Sequence, residues 1–222
     1  MGKRGPKPQG KVNIKWSTDF AYALGLLASD GSLSKDGRHV VLVSTDLDQI
    51  ENFRSALRLT QKISVHGSFD AIRKKAFRVQ IGDVLFYEFL LTIGFTPNKS
   101  QTIGRLKIPP EYFFDFLRGS FDGDGSFYSY WDKRWKSSFL FYTSFVSASM
   151  EHIKWLRNEV FVRLGINGHI SHAEETSCYQ LKYAKKDSII LTGAMYYSDN
   201  ILCLSRKRLK ISKALAILTK PR

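Results

Sequence analysis

Two short segments of the chain share one pattern, and their repetition limits what the chain can fold into. Residues 23–31 read ALGLLASDG, and residues 117–125, about ninety residues further on, read LRGSFDGDG. Each is an apolar stretch that contains glycine and stops abruptly at Asp-Gly, which is typical of the C-terminal end of a helix. One such stretch would be an ordinary helix end. Two of them predict a duplicated half-domain that brings one carboxylate from each half, Asp30 and Asp124, to a shared centre.

The rest of each half follows its motif with the same order of expected elements. Apolar residues recur at helical spacing in some windows and alternate with polar residues in others. The predicted helices cover residues 18–30, 47–59, 83–93, 111–124 and 149–164, with a short one from 187 and a basic one from 205. The predicted strands cover residues 38–44, 62–68, 75–81, 126–131, 137–147, 169–172 and 179–183. This order predicts the α+β class, as duplicated αββαββα half-domains related by a pseudo-twofold axis, with two antiparallel sheets.

The ends of several helices carry recognisable signals. Ser17 or Thr18 is expected to cap the first helix, because a hydroxyl can accept a hydrogen bond from an unpaired amide of the first turn. Asp46 and Ser149 are expected to cap the second helix of each half in the same way. Gly31 is expected to end the first helix in the left-handed conformation that glycine adopts readily.

Length and composition exclude several classes of protein. A chain of 222 residues with 43% apolar residues can form one sizeable core or two small fused halves. The expected organisation is a basic, flexible N-terminal arm over residues 1–16, a first half over 17–104, and a second half over 105–222 that ends in the basic helix. There is no apolar run of about 18 residues for a membrane span and no apolar stretch of a secretion signal. Two cysteines without metal-binding spacing predict an intracellular, reducing compartment. Together with the positive net charge of the chain, this predicts a compartment that contains DNA, such as a prokaryotic cytoplasm or an organelle.

The charge of the chain predicts a nucleic-acid partner. The formal net charge is +14, from 34 basic and 20 acidic residues. Residues 1–16 and 205–222 are rich in lysine and arginine and hold no acid, so the excess is concentrated at the two ends. Basic groups release counterions when they bind a polyanion, which gives strong, salt-sensitive affinity. Membrane binding is not expected, because the basic segments lack a strongly apolar face.

The two motif helices are expected to cross closely and to form a metal site. Gly25 and Ser29 are four residues apart, as are Gly119 and Gly123, and small residues at that spacing let helix backbones approach. The C-terminal ends would then meet. Two carboxylates at such a point repel one another unless cations lie between them, and hard divalent metals prefer oxygen ligands. Asp122, in the second motif, is expected on an exposed helix face rather than in the metal site.

At this point the segments resemble the signature of the LAGLIDADG homing endonucleases, in the monomeric form with two motifs. Gly25 and Gly119 match the motif glycine, Asp30 and Asp124 its final acid, and Gly31 and Gly125 the closing glycine. Ala28, Ser29, Arg118 and Gly123 depart from the middle letters of the motif. The resemblance covers about residues 17–218. It implies two sheets that form a saddle over double-stranded DNA, and site-specific hydrolysis of both strands of a long, asymmetric target across the minor groove.

The resemblance also implies roles for residues around the acids. Asp30 and Asp124 would be catalytic and would bind Mg²⁺ (or Mn²⁺, with Ca²⁺ as a non-catalytic substitute). The backbone carbonyls of Ser29, Gly31 and Gly123 would be further candidate ligands. Proteins of this family often have Gln or Lys at the strand end, where this chain has Ser44–Thr45 and Ser147–Ala148.

A lysine after the third helix of each half is the other position that the resemblance singles out. Lys99 and Lys207 match it, and they would stabilise charge in the transition state or help to activate water. The alternative role for each is contact with a phosphate, or simple solvation.

The two sheets are expected to read DNA through alternating side chains, because Arg pairs with guanine and Gln with adenine in a major groove. The candidate DNA-binding residues are Arg38, Arg73, Lys75, Arg78, Gln80, Tyr128, Tyr130, Arg134, Lys136, Gln180 and Lys182. The sets differ between the halves, which favours an asymmetric target and a monomeric protein.

Two other functions fit the same sequence. A binding-only protein on this scaffold, such as an intron maturase that binds RNA or a regulator, would lack Gln or Lys at the strand ends. It would, however, gain nothing from crowding two carboxylates beside phosphates. A basic architectural DNA-binding protein would show no sequence preference and would not need Asp30 or Asp124.

Overall fold

The computed structural model describes residues 10–66, 75–135, 137–173 and 177–219. These residues form an α+β fold of two similar halves, and the predicted fold class is confirmed. In the first half the helices are α1 (Thr18–Asp30), α2 (Leu47–Ala56), α3 (Val84–Thr92) and the short α4 (Lys99–Thr102). The strands are β1 (Gly31–Leu33), β2 (His39–Ser44), β3 (Ser64–His66) and β4 (Ala76–Gly82).

The second half repeats this order after a 3₁₀ turn at Pro110–Tyr112. Its helices are α5 (Phe113–Asp124), α6 (Met150–Leu164), α7 (Lys185–Met195) and α8 (Ser205–Thr219). Its strands are β5 (Ser126–Trp131), β6 (Phe139–Ser147), β7 (His169–Ala173) and β8 (Cys178–Tyr183). No helix in the described ranges is both long enough and apolar enough to span a bilayer.

Each half contains an antiparallel sheet with an equivalent strand order, β1-β2-β4-β3 in the first and β5-β6-β8-β7 in the second. Even the pairing at the end of the central strand repeats: Ser44 pairs with Phe77, and Ser147 pairs with Tyr179. Side chains alternate between faces, so that one face of each sheet packs into the core and the other is turned away from it. Leu42 and Val79 lie on the core face of the first sheet, and Phe145 and Leu181 on that of the second.

The helix ends form where their capping residues predict. The side chains of Ser17, Asp46 and Ser149 each accept a hydrogen bond from an amide of the first turn that follows. Such a cap contributes about 1 kcal/mol to helix stability. Gly165 ends α6 in the left-handed conformation, with φ of 66°. The predicted N-terminal caps Ser17, Asp46 and Ser149 are therefore confirmed.

Several expectations about the elements are wrong. Gly31 is not left-handed but extended, with φ of −83°, because the chain passes directly from α1 into β1. The helix α2 ends at Ala56 rather than 59, since the chain turns at Leu57 and Arg58 takes a positive φ of 52°. The helix expected from 187 begins at Lys185 and has 11 residues, so it is not short.

The expectation that Asp122 lies on an exposed helix face is also wrong, because its side chain is fully buried. Its carboxylate accepts hydrogen bonds from the Tyr22 hydroxyl at 2.9 Å, the Tyr196 hydroxyl at 2.8 Å and the Leu204 amide at 2.7 Å. The segment between α7 and α8 lies over this part of α5 and supplies two of those donors. Asp122 therefore fixes the approach of the chain to α8.

Candidate functional site

The site is built where α1 and α5 cross. A β-carbon on Gly25 would lie 2.6 Å from the Ser120 amide nitrogen and 2.8 Å from the Gly119 Cα. A β-carbon on Gly119 would lie 3.0 Å from the Gly25 Cα. No residue other than glycine fits at either position without moving a backbone. The structure thus places both glycines at the closest approach of the two helices.

This close crossing brings the two motif acids together. A β-carbon on Gly123 would lie 2.8 Å from Oδ2 of Asp30, so the Asp30 carboxylate lies over the residue that precedes Asp124. The pKa of Asp124 is raised, first by the protein that surrounds part of its carboxylate and then by the negative charge of Asp30. The two halves therefore contribute one acid each to a single centre that is rich in negative charge.

Two lysine side chains lie close to the same centre. The Lys99 ammonium donates to the carbonyls of Ala28 and Ser29, both at 2.7 Å. The Lys207 ammonium donates to the carbonyls of Phe121 at 2.5 Å, Gly123 at 3.1 Å and Gly125 at 2.6 Å. Each lysine thus occupies unpaired carbonyls at the C-terminal end of a motif helix, where a positive charge is favourable.

The charge of these lysines acts on the acids over a short distance. Both side chains are largely buried, with Lys99 5% and Lys207 9% exposed. Burial lowers the pKa of each ammonium group to about 8, while Asp30 and Asp124 oppose that shift. Both lysines in turn oppose the rise in the pKa of Asp124. The sequence predicts that Lys99 and Lys207 lie near the acids, and the structure shows that their ammonium groups donate to helix carbonyls rather than to the carboxylates.

Gln49 is a site residue that the sequence analysis missed. Its side-chain amide donates to Oδ2 of Asp30 at 2.5 Å, and its carbonyl oxygen accepts from the Ser44 hydroxyl at 2.9 Å. Gln49 is only 3% exposed and follows the cap of α2. The sequence offers one signal for Gln49: it is a polar residue directly before the apolar Ile50 on the inward side of α2.

The donors at the centre fit a hard divalent cation. The described residues hold no cluster of three or more His, Cys, Asp or Glu side chains. The protein ligands would therefore be the Asp30 and Asp124 carboxylates, with the carbonyls of Ser29 and Gly123 as candidates that a lysine now occupies. This set contains oxygen only, which Mg²⁺ and Mn²⁺ prefer. A cation there would also relieve the repulsion between the two acids.

The candidate DNA-binding residues of the first half are partly gathered on one face. Arg78 and Gln80 alternate along β4 opposite Val43 and Val41, on the face turned away from the core, and the Arg78 guanidinium donates to the Gln80 carbonyl oxygen. Lys75 is exposed just before β4. Arg38 precedes β2 and lies 3.8 Å from Asp36. Arg73 lies outside the described residues.

In the second half the corresponding face is aromatic. The strand register places Tyr128, Tyr130, Gln180 and Lys182 on one face of the sheet, opposite the face that holds the core. The ring of Tyr128 stacks on that of Tyr142 with centroids 5.1 Å apart, and the Lys182 ammonium lies 5.2 Å from the Tyr142 centroid.

The remaining two candidates of this half belong to the turn between β5 and β6. Arg134 is exposed there and lies 3.5 Å from Asp132. Lys136 lies outside the described residues.

Comparison with solved structures identifies the fold. The sequence matches no protein-family model and no curated protein. The homing endonuclease I-WcaI bound to its DNA recognition sequence superposes with a TM-score of 0.62 and 14% identity, over 94% of this chain and 95% of that one. I-DmoI in complex with DNA and Ca gives 0.57 and 13%, over 88% and 97%. The N-terminal LAGLIDADG domain of DUF199/WhiA gives 0.55 and 16%, over 90% of each chain.

These likenesses extend over nearly the whole chain, and they agree with the crossing of two glycine-containing helices. The fold is of the α+β class, and the two motif helices α1 and α5 lie at its centre. The chain has the two-copy LAGLIDADG fold, as its sequence predicted.

Proposed function

We propose that this protein is a site-specific endonuclease that uses a divalent metal to hydrolyse both strands of a long, asymmetric DNA duplex. The observation that carries the proposal is the meeting of Asp30 and Asp124, one from each half, at the ends of two helices whose crossing requires glycine. The first strand of each sheet begins within two residues of its acid, β1 at Gly31 and β5 at Ser126. The chain also carries a net charge of +14, which favours a polyanionic partner.

In this proposal each group has a distinct task. Asp30 and Asp124 hold Mg²⁺, for which Mn²⁺ can substitute, and Ca²⁺ supports binding without cleavage. A cation bound there supplies Lewis-acid stabilisation of charge on the scissile phosphate. Lys99 and Lys207 limit the negative charge of the centre before DNA arrives. In support, I-DmoI has been solved in complex with DNA and Mn and with DNA and Ca.

The setting proposed for this activity follows from the same features. A chain that contains both acids needs no second copy to complete the centre, so we expect a monomer. Cys178 and Cys203 are free thiols, consistent with a reducing, intracellular compartment that contains DNA.

The proposal is tested by cleavage of a duplex selected from a randomised pool by the wild-type protein in Ca²⁺. Wild-type protein should cut this duplex in Mg²⁺, whereas Asp30→Asn and Asp124→Asn should bind it and fail to make a double-strand break. Full cleavage by both variants would overturn the proposal.

A protein that binds DNA or RNA without cleaving it is the second candidate. The observation in its favour is that Lys99 and Lys207 donate to the carbonyls of Ser29 and Gly123, which a metal-dependent enzyme would use as ligands. The likeness to the LAGLIDADG domain of WhiA is compatible with either function. This candidate predicts tight binding in EDTA, equal affinity in both Asp→Asn variants, and no cleavage by any of them.

A further inference from the structure

The two acids at the centre are held in different ways. Oδ2 of Asp30 accepts a 2.5 Å hydrogen bond from the buried Gln49 amide. Among the described residues no side chain donates a hydrogen bond to the Asp124 carboxylate, which interacts with Lys99 and Lys207 through charge. A fixed neutral donor thus holds one acid and not the other.

The Gln49 side chain is itself fixed by the strand that precedes it. The Ser44 hydroxyl, at the end of β2, donates to the Gln49 carbonyl oxygen at 2.9 Å and accepts from the Asp46 amide at 3.1 Å. Asp46 then caps α2 through the Asp48 amide. The turn from β2 into α2 therefore sets the position of the Gln49 amide, and through it the orientation of the Asp30 carboxylate.

The same turn in the second half leads to a different result. Ser147 ends β6 at the register that Ser44 has in β2, and His152 is the third residue of α6 as Gln49 is of α2. His152 does not turn to Asp124. Its Nδ1 lies 2.9 Å from the Gly104 carbonyl oxygen, and the Ser149 hydroxyl donates to the Ile103 carbonyl at 2.5 Å. In the second half, this position therefore contacts the linker between the halves, whereas in the first half it contacts the motif acid.

A small cavity is found beside Asp124. It has a volume of about 90 Å³ and is lined by Asp124, Lys99, His152 and Ser147, among others. A cavity of about 10–15 Å³ is enough to hold one water, so this space suits several water molecules bound to polar groups. Asp124 is exposed and borders this cavity, whereas Asp30 is held by the Gln49 amide.

We propose that Gln49 is a positioning residue for Asp30 alone, and that it makes the two halves of the centre unequal, so that the two target strands are cut at different rates. This inference rests on the proposed nuclease function. Gln49 holds Oδ2 of Asp30, the oxygen that lies over Gly123, and so would fix the orientation in which this carboxylate meets a cation. Its loss removes a hydrogen bond to a charged group, which corresponds to about a tenfold change in the affinity or rate that depends on Asp30.

The first test follows the strands separately. A plasmid carrying the duplex selected in Ca²⁺ is digested in Mg²⁺, and nicked and linear products are measured over time. Gln49→Leu should slow one strand by about tenfold and accumulate nicked plasmid, because a leucine keeps the bulk and loses the donor. Gln49→His, which restores an N–H at the position where α6 already accommodates histidine, should recover most of the rate.

A matched control lies one turn along the same helix. Asn52 donates to the Cys203 carbonyl at 2.9 Å and to the Tyr22 hydroxyl at 3.4 Å, so Asn52→Leu also removes an amide contact from α2. It should lower stability without changing the ratio of the two strand rates. Equal slowing of both strands by Gln49→Leu would overturn the inference. So would a strand ratio in Asn52→Leu that changes as much as it does in Gln49→Leu.

The second test does not depend on cleavage. Affinity for the selected duplex is measured as Ca²⁺ is titrated. The midpoint should move to about tenfold higher Ca²⁺ in Gln49→Leu, and this shift should vanish in an Asp30→Asn background, because Gln49 acts only through that acid. An unchanged midpoint, or an equal shift in both backgrounds, contradicts the role of Gln49. Wild-type protein that shows the Ca²⁺ effect but never cleaves would overturn the proposed nuclease and leave this role supported.

Discussion

Asp122 and Asp124 are two residues apart on α5, yet they have opposite surroundings. A helix turns about 100° per residue, so side chains two positions apart point to opposite sides. Asp122 points into the protein and accepts from three donors, whereas Asp124 points outward beside Asp30. The first carboxylate holds the fold together and the second is available for chemistry.

This contrast predicts opposite effects on stability. Asp122→Leu should lower the free energy of unfolding by about 3 kcal/mol or more, because it leaves Tyr22, Tyr196 and the Leu204 amide without their buried acceptor. Asp124→Asn should leave stability unchanged or raise it, because it removes repulsion with Asp30. Urea denaturation of both variants measures this. Comparable losses in the two would show that Asp124 is a structural residue.

His152 predicts a specific loss of stability in acid. Burial lowers the pKa of its imidazole to about 4, and the charge of Lys99 acts in the same direction. As the pH falls, the imidazole of His152 is therefore protonated near pH 6.5 in the unfolded chain but only near pH 4 in the folded protein. The stability from this residue is complete above pH 6.5 and is lost as the pH falls toward 4, by about 3 kcal/mol.

The variant His152→Gln isolates that effect, since glutamine can still donate to the Gly104 carbonyl. Its free energy of unfolding should fall less than that of the wild type between pH 6.5 and 4. The lowered pKa of Asp36, about 2, affects a more acidic window and is common to both proteins. Parallel stability curves for the two proteins would contradict the assignment.

At the scale of elements, the crossing of α1 and α5 is the feature that the site depends on. Gly119→Ala would push a methyl group into the Tyr22 carbonyl oxygen of α1 and to 3.0 Å from the Gly25 Cα, and should cost about 3 kcal/mol or more. Cleavage should fall by about a hundredfold, because the acids are displaced by a fraction of an ångström or more.

Gly193 on α7 offers a matched control for this substitution. A β-carbon there would meet nothing within 4 Å, so Gly193→Ala should be neutral or stabilise the helix by up to about 1 kcal/mol. Thermal unfolding and the cleavage rate check both variants. Normal cleavage by Gly119→Ala would mean that close contact of the helices is not needed.

The elements also show what a sequence can predict. Caps such as Asp46 and Ser149 and the apolar stripes of the motif helices are local signals, and they locate helices well. The direction of Asp122 and the contact from Gln49 to Asp30 depend on segments distant in sequence that fold over them. Gly31 is extended rather than left-handed for a similar reason, because β1 begins at this residue and pairs with β2, a strand further along the chain.

The whole molecule presents two faces of unlike chemistry. The first sheet carries Arg78 and Gln80, and the second carries Tyr128, Tyr130 and Lys182. A protein that reads DNA with these faces would meet a target whose halves differ in sequence. The net charge of +14 would add affinity that does not depend on sequence.

Selection from randomised duplexes tests that asymmetry. Arg78→Ala should weaken binding by about 1–3 kcal/mol and relax the preference at neighbouring positions of one half-site, and Lys182→Ala should act on the other half-site. A uniform loss across all positions, with a smaller salt dependence, would show instead that these residues contact phosphates.

The central claim is that one acid from each half acts on DNA as a single metal centre. Anomalous diffraction from crystals of the protein with its selected duplex and Mn²⁺ measures this most directly. We expect anomalous peaks at the α1–α5 crossing, bound by the carboxylates of both Asp30 and Asp124 and by DNA phosphate. A bound duplex with no anomalous peak at either carboxylate would contradict the account.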